Sequence, residues 1–427
     1  MASFNNKTRD EIPTAKLLAQ LKPSELNENY HPSGWETWKC AFAPDESYFA
    51  WSCGNRLVTL VPWNRCKSTL PQLSEVLAQL VLPKPGARAS TDDTDDEGHK
   101  LVHKTITIDC GCLVRSIAFG SATSEKKHLA SKAFWTHFSV SKDLVLATGL
   151  NNGHIRTWDI FTGHLILELM DHRSVVTDIA FAPNGSLLLA SSSQDATIKF
   201  WDLSDDGNMF KTLRMNGKAV YCCAWSPDAH MLATVGMCTS VYVWDTSSFS
   251  LKLRLSGHKY DVVSCEYSPD GCLIVTVSWD TQAILWDAYT GMKLKCFGHL
   301  FPPPRLIYAS GANGTWVRGV SFSPDGAHIS TVADDGYMRI WDILYEDDPV
   351  AVGSVEEGLC CTYSPSGRVL AVGTREGNVS FWQAAMSVKP LLYLCRLVIR
   401  RQTPPEKVEK LFIPKRLTNY LLYKELV

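Results

Sequence analysis

Residues 257–287, GHKYDVVSCEYSPDGCLIVTVSWDTQAILWD, spell out one complete structural unit. Gly257-His258 opens it, and three short alternating runs follow, beginning at Val262, Leu273 and Ala283. Alternation with period two is strand patterning, and the runs are separated by turn residues. In Ser268-Pro269-Asp270-Gly271, proline presets φ and glycine accepts the positive φ of a tight turn. Three strands joined by tight turns make an antiparallel meander, which Trp286-Asp287 closes.

The closing tryptophan recurs. Trp63, Trp158, Trp201, Trp244, Trp286, Trp341 and Trp382 each end such a run, at intervals of 95, 43, 43, 42, 55 and 41 residues. The turn recurs with it, as Pro44-Asp45-Glu46, Pro183-Asn184-Gly185, Pro227-Asp228-Ala229, Pro324-Asp325-Gly326 and Pro365-Ser366-Gly367. A period near 42 with Trp-Asp at a strand end marks a propeller blade, and seven blades make a ring. The expected fold is an all-β seven-bladed propeller over 30–386, preceded by an N-terminal arm, 1–29, and followed by a small α-helical segment, 387–427.

Asp195, Asp280 and Asp335 each precede their tryptophan by six residues. In this the chain resembles the WD-repeat family. There the Asp, the Gly-His histidine, a strand Ser or Thr and the Trp form a hydrogen-bonded chain inside each blade. His172, Asp195 and Trp201 match, as do His258, Asp280 and Trp286. A buried, fully satisfied polar network fixes geometry, so the resemblance implies a structural role for these residues. An Asp-His pair also fits part of a catalytic triad, but no nucleophile motif accompanies it and the pair repeats from blade to blade. Some units are degenerate: Cys238 replaces the Asp before Trp244, Met215-Asn216-Gly217 replaces Gly-His, Glu376 precedes Trp382, and Pro62-Trp63 lacks the following Asp. These blades are expected to be locally softer, because stability in such arrays is summed over neighbours.

Fourteen cysteines raise the question of metal or disulfide chemistry. Cys40, Cys223, Cys265 and Cys361 all stand two residues before an aromatic and four before a proline, a slot filled elsewhere by Ile179 or Val320. A position that accepts Cys, Ile and Val is an apolar core slot. Neighbours in Cys222-Cys223 and Cys360-Cys361 point to opposite strand faces, and Cys110-x-Cys112 lacks a second pair at zinc spacing. No metal or cofactor is expected.

Two intervals are long. The first carries an acidic loop near 83–100, polar and Pro/Gly-bearing, a composition that cannot bury enough apolar surface to order itself. The second carries Phe301-Pro302-Pro303-Pro304, which fits either a stiff surface loop or a polyproline ligand. Trp382 ends the third strand of the last unit, so the ring needs one more strand. Ala15-Lys16-Leu17-Leu18-Ala19-Gln20-Leu21 is the candidate, although its pattern also suits a helix.

Net charge is −2, unevenly distributed. From Ala384 onward nine Lys and Arg oppose three Glu, so the tail is +6 and the remainder −8. No run approaches the roughly 20 apolar residues of a membrane span. The N-terminus lacks the apolar core of a signal peptide, so an intracellular chain, cytoplasmic and/or nuclear, with reduced thiols is expected.

After Ser387 the period changes. Leu391, Leu394, Cys395, Val398 and Ile399 lie at i, i+3, i+4, i+7 and i+8, one apolar stripe of a helix, with Arg396, Arg400 and Arg401 beside or opposite it. Pro404-Pro405 ends that helix, and Leu417, Tyr420 and Leu421 form a second stripe after Pro414. So short a hairpin cannot bury both stripes alone, and one outlet is docking onto the propeller.

Another outlet follows from a resemblance. Leu391-x-x-x-Cys395-x-x-x-Ile399 resembles the elongin-binding box of SOCS-box proteins, and Leu411-Phe412-Ile413-Pro414-x-x-Leu417-x-x-Tyr420-Leu421 resembles their cullin-recruiting box. Phe412 departs from the box's usual proline and bears on cullin choice. Both boxes, in order and after the repeats, make the chain similar to the WD repeat and SOCS box-containing family. The resemblance implies a non-catalytic substrate receptor of an elongin–cullin–SOCS-box ubiquitin ligase. Leu391, Leu394, Cys395, Val398 and Ile399 would bind elongin C with elongin B. Leu411, Ile413, Pro414, Leu417, Tyr420 and Leu421 would bind the cullin with its RING subunit, and the propeller would hold a target protein.

Two other readings stand beside it: a scaffold propeller whose tail packs in cis, and a nucleic-acid binder using the basic tail. The last fits least well, because those arginines share a helix with a continuous apolar stripe and no aromatic stacking array. On the ring face formed by the Gly-His loops, Arg173, Lys259, Tyr260, Trp279, Trp316 and Arg318 are the side chains of hot-spot type for a target, and each also fits ordinary loop packing.

Overall fold

The structure is a computed structural model that describes residues 12–22, 36–52, 56–63, 73, 105–121, 144–215, 217–299, 316–344, 348–385, 391–403 and 405–424. The acidic loop near 83–100 and the Phe301–Pro304 insertion lie outside these residues.

The described strands form seven antiparallel four-stranded sheets. Their innermost strands are β2 (Cys40–Phe42), β6 (Val114–Ser121), β10 (Val176–Phe181), β14 (Val220–Trp225), β18 (Val262–Tyr267), β22 (Val317–Phe322) and β26 (Gly358–Tyr363). Each packs on the next and β26 packs on β2, which closes the ring. The unit at 257–287 supplies β18, β19 (Leu273–Ser278) and β20 (Gln282–Asp287) of the fifth blade, and β21 (Lys293–Gly298) lies outermost.

The seventh blade draws strands from both ends of the chain. β1 (Leu17–Leu21) pairs antiparallel with β28 (Val379–Gln383), Ala19 opposite Phe381 and Leu21 opposite Val379. Ala19 and Leu21 of β1 face inward and join Phe49, Trp51, Trp63 and Phe381 in one apolar cluster, while Leu17, beyond a register shift, stays exposed. The pairing covers an edge that β28 would otherwise expose.

Inside the blades the polar network takes the form set by the sequence. In the third blade His172 Nδ1 bonds Asp195 Oδ2 at 2.9 Å, His172 Nε2 bonds Ser191 Oγ at 2.7 Å, and Trp201 Nε1 donates to the same hydroxyl at 2.8 Å. The fifth blade repeats it through His258, Asp280, Thr276 and Trp286, all at 2.8 Å. Burial alone would raise both carboxyls. The histidine and backbone N–H bonds outweigh it, so Asp195 and Asp280 sit below the usual carboxylate range.

The sixth blade differs. Its histidine is His299, which bonds Thr331 Oγ1 at 2.7 Å, while Asp335 turns to Arg339, both side chains fully buried. In the fourth blade Trp244 Nε1 still donates to Thr234 Oγ1 at 2.9 Å, but Met215 and Cys238 take the histidine and aspartate positions. All cysteines among the described residues are free thiols, and Cys40, Cys223 and Cys265 pack in the core.

All seven innermost strands run in one sense, so the ring has two distinct faces. The loops before these strands and the turns that follow each second strand share one face, called here the Gly-His face. The Pro-Asp-Gly turns share the other. After the last blade come α1 (Leu391–Gln402), α2 (Pro405–Val408) and α3 (Lys415–Leu421). Among the described residues no helix is long and apolar enough to cross a membrane.

Candidate functional site

α1 begins right after Pro390 and is rich in leucine, a strong helix former, with its β-branched residues confined to Val398-Ile399. It presents two faces with opposite fates. Tyr393, Arg396, Leu397 and Arg400 recur at helical spacing and are buried against the propeller and α3. Tyr393 and Leu397 pack on Ala327, beside the sixth-blade turn, and Tyr393 Oη donates to the Asp325 carbonyl at 3.2 Å. Arg400 Nε approaches Cys272 Sγ at 3.1 Å in the fifth-blade turn, with its guanidinium 5.4 Å from the Tyr289 ring.

Arg396 is the centre of this seam. Its guanidinium carbon lies 3.4 Å from the Tyr420 ring centroid and 4.3 Å from that of Tyr423, so the cation joins α1 to the end of α3. Tyr423 Oη in turn donates to Asp270 Oδ2 at 2.8 Å. The helical segment is thereby fixed to the Pro-Asp-Gly face at the fifth and sixth blades. Burial pushes the Tyr423 hydroxyl well above the usual tyrosine range, so it stays protonated as a donor.

The opposite face of α1 is uncovered. Leu391 is 76% exposed, Val398 58%, Leu392 50% and Leu394 46%, and the Cys395 thiol is also exposed. Ile399 is the exception in that stripe. It is half-buried and packs with Ile413 on Val408, Leu421 and Leu422, the small core of the helical segment itself. Contiguous leucines left in water mark an interaction surface.

Of the second set, Leu411, Pro414 and Leu417 are exposed and Ile413 is half-buried. Tyr420 stacks on Arg396 and Leu421 lies in the hairpin core, so these two point inward. Arg396 and Arg400, which made the tail look like a basic surface, are buried and committed to aromatic and sulfur contacts. Sequence reading missed the docking face. Its signal was the spacing of Tyr393, Leu397 and Arg400, disguised by two arginines that resemble a solvated side.

The Gly-His face carries the second candidate surface. Trp279 and Trp316 stack with centroids 5.3 Å apart at 25°, and Tyr221 lies 6.0 Å from Trp279. The Arg318 guanidinium stands 5.7 and 5.3 Å from the two indoles and forks onto Asp334 at 2.7–3.0 Å. The pairing register of β22 shifts between Val317 and Gly319, so Arg318 is a bulged residue. Trp279, Trp316 and Arg318 thus meet, joined by Tyr221 and Asp334.

Tyr260 is 64% exposed and neighbours the cluster, since its carbonyl accepts from Ser278 Oγ just before Trp279. Arg173 lies apart in the third blade. The backbone N–H groups of Arg173 and Lys259 donate to Asp195 and Asp280, which leaves both side chains outside the blade networks. Among the described residues no group of three or more His, Cys, Asp and Glu could hold a metal ion.

Two separate surfaces suited to proteins, one helical and one aromatic, therefore sit on opposite faces of a ring. Family models match both the helical segment and the ring. The SOCS box family model matches residues 387–422, and the WD domain, G-beta repeat model matches 163–202, 207–245, 249–287, 305–342 and 352–383. The chain is 47% identical over 434 residues to WD repeat and SOCS box-containing protein 1 of Homo sapiens, covering 99% of this chain and 100% of that one. It is 46% identical over 428 residues to the protein of the same name in Danio rerio, covering 100% of each. Nuclear distribution protein nudF of Aspergillus niger is 28% identical over 207 residues, 47% of this chain and 46% of that one.

Proposed function

This chain belongs to the WD repeat and SOCS box-containing protein family, and from that premise we propose that it is the substrate-recognition subunit of an elongin–cullin–SOCS-box ubiquitin ligase. Family and SOCS box together imply a substrate receptor for a cullin–RING ligase and partnership with elongin B/C and a cullin in general. In the finer reading, Leu391, Leu394, Cys395 and Val398 enter the elongin C surface, with Ile399 at their edge. Leu411, Ile413, Pro414 and Leu417 meet the cullin, and Tyr420 and Leu421 shape that surface from beneath. A small, polarisable thiol suits a tight apolar pocket that a larger side chain would overfill.

One observation carries the reading: the face of α1 that holds the propeller is not the face that bears the leucine–cysteine stripe. A scaffold whose tail merely packed in cis would bury that stripe. The contribution to catalysis is proximity, raising the effective concentration of target lysines near a charged ubiquitin carrier. The setting is intracellular, cytoplasmic and/or nuclear. Mixing purified full-length protein with elongin B–C and a cullin–RING pair tests the reading by size-exclusion chromatography. One stoichiometric assembly is expected; separate elution of all components overturns it.

A further inference from the structure

Resting on the receptor function proposed above, we propose that the Tyr221–Trp279–Trp316 row with Arg318 anchors an acidic segment of the target protein that carries a bulky apolar side chain. The row runs across three blades: Tyr221 from the fourth, Trp279 from the fifth and Trp316 at the start of the sixth. Its rings pack in sequence, Tyr221 and Trp279 half-buried and Trp316 39% exposed, and Tyr260 at 64% and Met237 at 48% lie on the same face. Rigid indoles bury large area with little loss of side-chain freedom, which is why they dominate the energetics of protein interfaces.

The polar half of the site is preset as well. Asp334 holds Arg318 through Nε and Nη2, while Nη1 bonds no described residue, so a donor edge of the guanidinium is left for an incoming acceptor. The fork fixes the cation beside the indoles before any ligand arrives, and that reduces the ordering cost of binding.

Charge around the row selects the sign of the ligand. Lys218, Lys259 and Arg173 are exposed on the same face and form no ion pair among the described residues. Two acids stand beside them, Asp261, which is half-buried, and Asp171, which is paired with Lys199. An acidic peptide gains from this arc, whereas a basic one meets three exposed cations and Arg318. The negative side of the ring lies farther round, at Glu356 and Glu357 of the seventh blade, where Glu357 faces Arg375 at 3.7 Å. A bound segment is therefore oriented with its acidic residues toward the third to fifth blades.

The test uses full-length protein immobilised through bound elongin B–C, panned with a random 12-residue peptide phage library. Enriched peptides are expected to be net acidic and to contain Trp, Phe or Leu. A synthetic copy of the strongest, followed by fluorescence anisotropy, should lose at least tenfold in affinity with Trp316→Ala and three- to tenfold with Arg318→Ala. The double charge reversal Lys218→Glu/Lys259→Glu alters only exposed side chains, so it keeps the fold and should disfavour the same peptide by about tenfold. Basic consensus peptides, absence of enrichment, or binding indifferent to both Trp316→Ala and the charge reversal would each overturn the proposal. Elongin B–C retention is read on the same samples. If it persists while the peptide outcome fails, the receptor function stands and this site falls; if elongin B–C is not retained, the receptor function itself fails.

Discussion

Replacing Tyr423 by phenylalanine should loosen the whole helical segment from the ring without touching its exposed surface. Tyr423 follows the end of α3 at a φ of 55°, and phenylalanine carries the same backbone cost, so the substitution isolates one hydroxyl. That hydroxyl donates to Asp270 Oδ2 at 2.8 Å, whereas Ser268 Oγ and the Cys272 N–H both donate to Oδ1. Phenylalanine therefore leaves one oxygen of a buried carboxylate without its donor, while the ring 4.3 Å from Arg396 remains. A hydrogen bond to a charged group is worth about 1.5–3 kcal/mol, and leaving the acceptor buried pushes the cost to the upper half of that range, about 2–3 kcal/mol. The undocking equilibrium should rise roughly 30- to 150-fold. A seven-residue helix does not persist by itself in water, so undocking is visible as exchange of its amides. Hydrogen exchange should quicken by that factor in α1 and α3 and stay unchanged in β18 and β19, with elongin B–C affinity unaltered. Exchange in α3 that changes less than threefold, or an equal change in β18, would refute the docking geometry.

Three other substitutions probe the ring. Asp280→Ala strands His258 Nδ1 and two backbone N–H groups, at Lys259 and Gln282, and should cost about 2–3 kcal/mol of local stability. Cys238→Ala, at the same position of the fourth blade, should cost less than about 1 kcal/mol, since Trp244 keeps Thr234; exchange in the two blades compares them directly. Glu266 accepts from the Phe322 N–H at 2.9 Å, and burial raises its carboxyl to about 7. The folded chain then holds a proton that the unfolded chain has released above its ordinary value of 4.5, so stability falls as pH climbs from about 4.5 to 7. Glu266→Gln should remove that slope, raising Tm more at pH 8 than at pH 5; an equal rise at both would contradict it.

Much of this was readable beforehand because propellers repeat their chemistry locally. The runs starting at Val262, Leu273 and Ala283 correspond to β18, β19 and β20 almost to the residue. The leucine–cysteine stripe was readable for a similar reason, since side chains three and four apart share a helix face. What stayed hidden depends on distant partners. Arg396 and Arg400 look solvated in sequence, and only the arrival of Tyr420, Tyr423 and Cys272 makes their burial tolerable. Asp335 carries the spacing of Asp195 and Asp280, yet Arg339 four residues on captures it. Gly298-His299 could have signalled the sixth-blade histidine, but the insertion that follows obscured the repeat. Tyr221 and Asp334 joined the aromatic surface from different blades, a juxtaposition no local pattern encodes.

The division of α1 into a docking face and an adaptor face is tested most directly by calorimetric titration of elongin B–C into the full-length protein. Wild type should bind one to one. Leu391→Asp/Cys395→Phe, on the exposed stripe, should abolish binding, and Leu397→Ala, on the buried face, should leave affinity within about threefold. No binding by wild type, or loss in Leu397→Ala with the stripe variant unaffected, would contradict the assignment of the two faces.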